Sequence, residues 1–355
     1  MINFKINIFN TYPRIAQIEI STSCNASCIY CPRTVLRSEW ISRFMDLKLY
    51  SRVIKELLSM GSVRYVHLQG WGESLLHPNL SSIINEVRNN VNFGLTTNGM
   101  LLNEHYARML LESGIDIIAV TFAGTFPSTH NAIRRGCDFN ILINNVRELI
   151  KIKDMLKSGS RVVASYIMMP VNIHELPDFI ELVNNLGIEE VVLDNLSYIL
   201  NKDMIMSKAF SDPMEREFKI YERIINLTLR RARELGIKLF TYSLNCWELT
   251  ECPERPTETI FINVDGYVSP CVFLNLPTRS NYIPRCFMGK CFKVKKVIFG
   301  NLNNDRIMNI WNSEAYREFR FKFIRRHQDS TSINEYSMDL MPPSPCITCY
   351  RLYGV

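Results

Sequence analysis

The chain has 355 residues, 47% hydrophobic and 21% charged, which is enough for one full-sized core and a smaller appendage. Its 41 Lys and Arg residues against 35 Asp and Glu residues are a mild excess, too dispersed to predict a nucleic-acid partner. The N-terminus lacks the apolar core of a signal peptide, and no stretch approaches the roughly 18 apolar residues of a membrane span, so we expect a cytoplasmic protein that does not bind membranes.

The first predicted strand leads into the densest cysteine motif of the chain. Residues 15–20 form an apolar, alternating run, and Cys24, Cys28 and Cys31 follow at C-x3-C-x2-C spacing. Because cytosolic thiols are kept reduced, this density predicts a metal site. A [4Fe-4S] cluster normally takes four thiolates, so three would leave one iron open to a small ligand. Part of a zinc site is the alternative.

With Tyr30 just before the third cysteine, this motif resembles the signature of the radical S-adenosylmethionine (SAM) enzymes. The resemblance implies that Cys24, Cys28 and Cys31 hold a [4Fe-4S] cluster whose open iron binds the amino and carboxylate groups of SAM. It also implies that an electron from the cluster cleaves SAM to a 5'-deoxyadenosyl radical. A reductant such as ferredoxin or flavodoxin is the partner that this chemistry requires, and Tyr30 is a candidate cofactor contact.

The first two thirds of the chain alternate strand and helix patterns. Short runs rich in Val and Ile predict strands, and they lie at residues 15–20, 63–69, 91–97, 116–122, 161–168 and 188–194. Segments with apolar residues every three or four positions predict helices, and they lie at residues 47–58, 80–91, 102–111, 140–156 and 176–186. Six β-α repeats predict a parallel sheet with helices outside it. The resemblance implies a partial (β/α)6 TIM-type barrel, with functional loops at the carboxyl ends of the strands.

A glycine-rich motif follows the second predicted strand. Gly70, Gly72 and Glu73 resemble the G-G-E-P motif of the family, in which backbone groups and the Glu bind the SAM ammonium. Glycine permits close backbone approach to a ligand, and a carboxylate offsets the ammonium charge. The sequence departs from the motif with Trp71 in the second position and Ser74 in place of Pro.

Two further candidate cofactor contacts follow the third and fourth strands. Asn98 belongs to a T-N-G motif that faces the SAM pocket in relatives, and a simple polar turn is its alternative. Thr121 occupies the place of the Ser in S-x-D-G, whereas Ala123 lacks the carboxylate of that motif. Arg134 resembles the Arg of I-R-x-G, with contact to substrate or to the SAM carboxylate as one interpretation and an exposed helix ion pair as the other. Cys137 is expected to be a small buried hydrophobe and not part of the site.

The last hundred residues change character. A helix is predicted over 214–235, an amphipathic helix is predicted around 317–326, and seven cysteines follow residue 245. Cys252, Gly266 and Cys271 show C-x13-G-x4-C spacing within a predicted β-hairpin whose turn is Asp-Gly. Cys346 and Cys349 form a final C-x2-C pair.

This tail resembles the SPASM or twitch extension, which holds auxiliary iron-sulfur clusters. Four thiolates, from Cys252, Cys271, Cys346 and Cys349, would ligate one auxiliary [4Fe-4S] cluster, and a structural zinc on the same residues is the alternative. Three thiols remain for either a second auxiliary cluster or an insertion with ordinary thiols, and they belong to Cys246, Cys286 and Cys291.

The fold class is therefore predicted as α/β, a partial (β/α)6 barrel with a small cysteine-rich α+β extension. The predicted domains are an N-terminal extension (1–12), the barrel (13–212), a linking helix and strand (213–240) and the auxiliary-cluster domain (241–355).

The predicted function is a radical SAM enzyme that abstracts hydrogen in peptide or protein maturation. About ten residues precede the first strand, so we expect no N-terminal leader-binding domain. A small-molecule dehydrogenase of the aminocyclitol type is the alternative, and no catalytic acid or base is assigned. Outside the enzymes, an iron-sulfur electron carrier and a zinc-stabilised scaffold are the alternatives.

Overall fold

The computed structural model describes residues 12–210, 216–328 and 340–355. Apart from Tyr12, the predicted extension over 1–12 lies outside these residues, as does the predicted boundary between 212 and 213. Within the described ranges, every helix is too short or too polar to cross a membrane.

Twelve strands are present in these ranges. They are β1 (Ile15–Ile18), β2 (Tyr65–Leu68), β3 (Asn92–Thr97), β4 (Ile117–Phe122), β5 (Arg161–Met168), β6 (Glu190–Asn195), β7 (Lys238–Thr241), β8 (Thr259–Ile262), β9 (Tyr267–Ser269), β10 (Tyr282–Phe287), β11 (Lys290–Lys295) and β12 (Gly300–Asn301). The helices are α1 (Pro32–Val35), α2 (Leu47–Ser59), α3 (Leu80–Val87), α4 (Glu104–Glu112), α5 (Pro127–Ile133), α6 (Phe139–Met155), α7 (Leu176–Asn185), α8 (Arg216–Glu234), α9 (Ile307–Trp311) and α10 (Glu314–Gln328).

A ten-stranded sheet in the order β12-β9-β8-β1-β2-β3-β4-β5-β6-β7 forms the centre of the fold. Strands β1 to β6 pair in chain order, and every neighbour is parallel. The predicted partial barrel is thus confirmed, and it is open because its two edge strands, β7 and β12, do not pair with each other. Two more parallel strands extend it, since β7 pairs with β6 and β8 pairs with β1.

The strand sequences alternate between the helix-packed core and the interior of the barrel. On β4, Ile118, Val120 and Phe122 are fully buried in the core that the outer helices share, whereas Ala119 and Thr121 are not. This period of two is the expected consequence of pleated strands whose outer face is covered by helices.

Side-chain caps set the starts of several helices. Asp46 accepts hydrogen bonds from the Lys48 and Leu49 N–H groups at the start of α2 (2.9 and 3.1 Å). Asp138 caps α6 in the same way. Such caps satisfy backbone donors that have no partner inside the helix, so α2 and α6 begin at the residues that follow Asp46 and Asp138.

The tail continues the barrel sheet and also covers its carboxyl edge. The predicted hairpin is confirmed as the antiparallel pair β8 and β9, with Gly266 at φ 80° in its turn. The helix predicted around 317–326 is confirmed within α10. A separate hairpin, β10 and β11, lies over the strand ends, where the Cys286 N–H donates to the Ile199 carbonyl (2.7 Å). A second hydrophobic core forms there from strand-end loops, this hairpin and the C-terminal turn.

Candidate metal and cofactor centre

The three-cysteine motif lies on the loop between β1 and α1, at the carboxyl end of the first strand. Two backbone hydrogen bonds tie this loop to the end of α5 and the residues just after it, from Ile29 N–H to Ile133 O (3.0 Å) and from Ser27 N–H to Arg135 O (2.6 Å). Pro32 begins α1 directly after Cys31. These contacts hold the three thiols as a compact group.

The thiols are free and share one small cluster of packed side chains with Ala26 and Tyr30. Cys28 is buried, and Cys24 accepts N–H···S contacts from Ala26 N (3.4 Å) and from Asn98 Nδ2 (3.8 Å). Burial, and then the neighbouring Cys28 thiol, raises the pKa of Cys31 to about 12. Among the described residues no group of three or more His, Cys, Asp or Glu side chains is already arranged to hold a metal ion. Three neighbouring thiols with N–H donors around them are nevertheless the ligand type of an iron-sulfur cluster, and cluster loading would release their protons.

The Gly70–Glu73 loop packs against the same segment with almost no spare space. A Cβ at Gly72 would overlap the Ser21 carbonyl oxygen and lie 2.6 Å from that of Ser23, and a Cβ at Gly70 would overlap the Glu19 side chain. Glycine at both positions is therefore required by close approach to protein backbone and side chain.

Glu73 is 3% exposed and joins three loops. Its N–H donates to Ser23 O (2.8 Å), and its carboxylate accepts from the Asn98 N–H (2.8 Å) and the Leu75 N–H (3.2 Å). Burial raises the pKa of this carboxyl group. Since a carboxylate has about four acceptor positions, it retains capacity for an ammonium group.

The other predicted contacts lie close to these loops. Asn98 is buried, and its Nδ2 donates to Asn25 Oδ1 (2.7 Å). Thr121 donates to the Thr97 carbonyl (3.2 Å), which places its hydroxyl on the neighbouring strand end. The Tyr30 hydroxyl accepts from Arg134 Nη1 (2.8 Å). The Tyr30 ring and the Arg134 guanidinium group together line one side of the three-cysteine group.

Sequence reasoning missed part of this neighbourhood. Arg134 is 6% exposed, so its interpretation as an exposed helix ion pair is wrong. Cys137 is buried as predicted, yet it packs against Cys28 and Ala26 and borders the cysteine group. Only its position three residues after Arg134 in the chain could have indicated this.

Glu19 is a second missed residue. It is fully buried at the end of β1, and burial raises its pKa to about 8. One carboxylate oxygen accepts from the Trp71 N–H (2.8 Å), and the other has no hydrogen-bond partner within the described ranges. A Glu inside the apolar run 15–20 was the available signal.

The four predicted auxiliary cysteines line one small cavity, with a volume of about 20 Å³. They are Cys252, Cys271, Cys346 and Cys349, and all are free thiols. Two buried guanidinium groups lie close to this cavity. Arg351 lines it and binds Asp194 at the end of β6 with two hydrogen bonds (2.8 and 3.0 Å). Arg285 donates to the Pro345 carbonyl (2.7 Å), next to Cys346. Arg351 also pairs with Glu254 (3.2 Å), a carboxylate that lines the same cavity. Four free thiols in one cavity fit a fully ligated cluster.

The three remaining thiols do not form a group of their own. Cys286 and Cys291 lie opposite each other on β10 and β11 and are joined by a disulfide bond. Cys246 packs into the second hydrophobic core. A second auxiliary cluster on these residues is therefore not supported, and the alternative of ordinary thiols is wrong for Cys286 and Cys291.

Two sets of cysteine thiols, one of three and one of four, lie at the carboxyl edge of an open α/β barrel. Together they define the class of protein as an iron-sulfur enzyme. The model of the radical SAM superfamily matches residues 18–183, and the model of the SPASM iron-sulfur cluster-binding domain matches residues 252–350. The chain belongs to the radical SAM superfamily.

Individual relatives agree with this family. A tungsten-containing aldehyde ferredoxin oxidoreductase cofactor-modifying protein of Pyrococcus furiosus is 24% identical over 310 residues, covering 86% of this chain and 82% of that protein. A probable GTP 3',8-cyclase of Methanothermobacter thermautotrophicus is 30% identical over 281 residues, covering 73% of this chain and 84% of that protein.

Solved structures share the fold. SuiB of Streptococcus suis bound to SAM superposes with a TM-score of 0.65 at 14% identity, covering 97% of this chain and 72% of that chain. The SAM-bound enzyme anSMEcpe gives a TM-score of 0.65 at 16% identity, covering 96% and 85%.

The protein is thus a radical SAM enzyme of the SPASM subgroup, with a SAM-binding [4Fe-4S] cluster, SAM and an auxiliary cluster as cofactors. The electron-carrier and zinc-scaffold alternatives are set aside.

Proposed function

We propose that this enzyme cleaves SAM reductively at a cluster on Cys24, Cys28 and Cys31 and abstracts a hydrogen atom from a peptide or protein substrate during its maturation. When bound, the cluster and SAM supply a 5'-deoxyadenosyl radical. The observation that carries the proposal is the packing of three free thiols in one small cluster, with Asn98 in contact with Cys24 and hydrogen-bonded to buried Glu73.

The chain's own residues would hold and orient these groups. The thiolates would bind iron, Asn98 would stabilise Cys24 through its N–H···S contact, and Glu73 would accept a hydrogen bond from the SAM ammonium. Arg134 would fix Tyr30 beside the cluster. The hairpin and C-terminal turn over the strand ends would exclude water from reactive intermediates.

A peptide or protein substrate is supported by two named relatives. A crystal structure of SuiB contains its precursor peptide SuiA, which supports a peptide, and the name of the Pyrococcus protein, cofactor-modifying, supports a role in maturation without naming a peptide.

A purine nucleotide is the second candidate, because several relatives are named probable GTP 3',8-cyclases. The structure favours it less, since three buried guanidinium groups at the mouth already have protein partners. Arg134 binds Tyr30, Arg351 binds Asp194, and Arg285 binds backbone carbonyls. A triphosphate would have to displace them.

Anaerobic SAM cleavage tests the chemistry. The triple variant Cys24→Ala, Cys28→Ala, Cys31→Ala should form no 5'-deoxyadenosine after dithionite reduction, whereas Cys246→Ala should match the parent. Undiminished product from the triple variant would refute the proposal.

Label transfer tests the substrate class. Candidate peptides and GTP, each deuterated, are incubated with SAM and a ferredoxin or flavodoxin as reductant. Deuterium in 5'-deoxyadenosine, read by mass spectrometry, identifies the substrate, and transfer from GTP alone would exclude the peptide proposal.

A further inference from the structure

Trp71 is the residue that departs most from the glycine-rich motif, because it stands between Gly70 and Gly72 where relatives have glycine. Its backbone N–H donates to Glu19 (2.8 Å), which keeps the loop against the end of β1. Its side chain leaves that loop and crosses to the tail.

The indole makes three contacts outside its own loop. Nε1 donates to the Val272 carbonyl (3.2 Å), and the ring packs on Phe273 (centroids 5.8 Å, 86° between planes) and on Tyr198 (5.3 Å, 30°). Val272 and Phe273 directly follow Cys271, and Phe273 lines the four-cysteine cavity. A single side chain therefore connects the loop of Glu73 to the loop of an auxiliary cysteine.

The tail side of this contact is held firmly. The Phe273 carbonyl accepts from the Tyr198 hydroxyl (3.0 Å) and from Arg285 Nη2 (3.1 Å), and the Tyr198 and Phe273 rings pack at 5.3 Å. Because Tyr198 and Arg285 hold the turn at Phe273, we expect this turn and Cys271, which precedes it, to move together.

The barrel side is equally tight. A Cβ at Gly72 would overlap the Ser21 carbonyl oxygen, and the Glu73 N–H donates to Ser23 O (2.8 Å), one residue before Cys24. Because packed interiors transmit displacement and do not absorb it, a shift of Trp71 alters the position of Glu73 relative to the three-cysteine loop.

We infer that Trp71 is a positioning residue that couples the SAM pocket to the auxiliary-cluster site, so that an intact auxiliary site strengthens SAM binding. Coupling of this kind is reciprocal, so bound SAM must stabilise the auxiliary site to the same degree. The inference rests on the proposed SAM pocket around Glu73.

A double-mutant cycle on the anaerobically reconstituted enzyme tests the coupling. SAM dissociation constants are measured by calorimetry for the parent, Cys271→Ala, Trp71→Gly and the double variant. In the parent background Cys271→Ala should weaken SAM binding about 5-fold or more, the usual lower range of coupling between sites. In the Trp71→Gly background the same change should have an effect below about 2-fold.

The matched control is Trp247→Phe, because Trp247 is 66% exposed. This variant should retain the full effect of Cys271→Ala. Equal SAM affinity of the parent and Cys271→Ala, or fold-changes that simply multiply in the double variant, would overturn the inference.

A second readout does not depend on Trp71→Gly folding well. Trp71→Phe keeps an aromatic ring but loses the hydrogen bond to Val272. SAM should shift the reduction potential of the auxiliary cluster in the parent and in Trp247→Phe, and the shift should be smaller in Trp71→Phe. An identical shift in all three proteins would overturn the coupling. Failure of the parent to bind SAM would instead overturn the proposed function.

Discussion

At the scale of single residues, Glu73 both joins two loops of the protein and is the proposed acceptor for SAM. Its carboxylate accepts hydrogen bonds from two backbone N–H groups, those of Leu75 and Asn98, and so joins its own loop to the end of the next strand. Because burial raises its pKa, the charged form depends on those donors and on any cation that arrives. Binding of an ammonium group and ionisation of Glu73 therefore favour each other.

Glu73→Gln should weaken SAM binding by roughly 1.5 to 3 kcal/mol, the scale of a hydrogen bond to a charged group. In the parent, affinity should fall as pH is lowered through the raised pKa of Glu73, since protonation weakens the carboxylate as an acceptor for the N–H groups of the iron-bound SAM amino group. Calorimetry over a pH series measures both effects, with exposed Glu104→Gln as the control. Unchanged affinity in Glu73→Gln, or an unchanged pH dependence, would contradict this role.

Gly72→Ala provides a steric test of the same loop. The added methyl group meets two carbonyl oxygens, those of Ser21 and Ser23, which are backbone atoms and have little freedom to move. We expect at least a 10-fold loss of SAM affinity, about 1.4 kcal/mol. Gly159→Ala is the matched control, because a Cβ at Gly159 meets no atom within 4 Å. Equal affinities of the two variants would show that the loop is not tightly packed.

At the scale of elements, local patterns were sufficient for the barrel and insufficient for the tail. The six strands β1 to β6 were predictable because apolar runs and the helices between them recur locally. The pairing of β8 with β1 was not, since it joins residues more than 240 positions apart and depends on tertiary packing. The Cys286–Cys291 disulfide was missed because redox compartment, and not hairpin register, guided the expectation.

The same limit applies to the site. Cysteine spacing predicted both thiol groups, because each includes a local motif. The hydrogen bond from Trp71 to Val272 spans 201 positions, and the burial of Arg134 depends on how α5 packs on the cysteine loop. Contacts of this kind leave no periodic signal in a single sequence.

The C-terminal turn is joined to the barrel by a buried ion pair. Arg351→Met should destabilise the protein by about 3 kcal/mol, because Asp194 at the end of β6 and Glu254 would both lose their partner inside the protein. Urea unfolding measures the loss. The exposed pair of Arg108 and Glu104 is the control, and Arg108→Met should cost less than about 0.5 kcal/mol. Equal losses would mean that the turn is not held by this pair.

At the scale of the whole molecule, the tail both extends the barrel sheet and covers its carboxyl edge. Strands β8, β9 and β12 extend the barrel sheet, whereas the second hairpin and the C-terminal turn cover its carboxyl edge. A covering module of this kind places the four-cysteine cavity beside the mouth in which a substrate would react.

Iron content tests that arrangement. A variant with Cys24, Cys28 and Cys31 all changed to Ala should retain about four irons per chain, held by the cavity of Cys252 and Cys271, on the basis of four irons per cubane cluster. The parent and Cys246→Ala should each hold about eight. An additional cluster in the tail is not expected, because Cys286 and Cys291 are joined to each other. Iron analysis with Mössbauer spectroscopy counts the clusters. Zinc in the triple variant, or no metal at all, would reduce the tail to a structural lid and remove its proposed coupling to the SAM pocket.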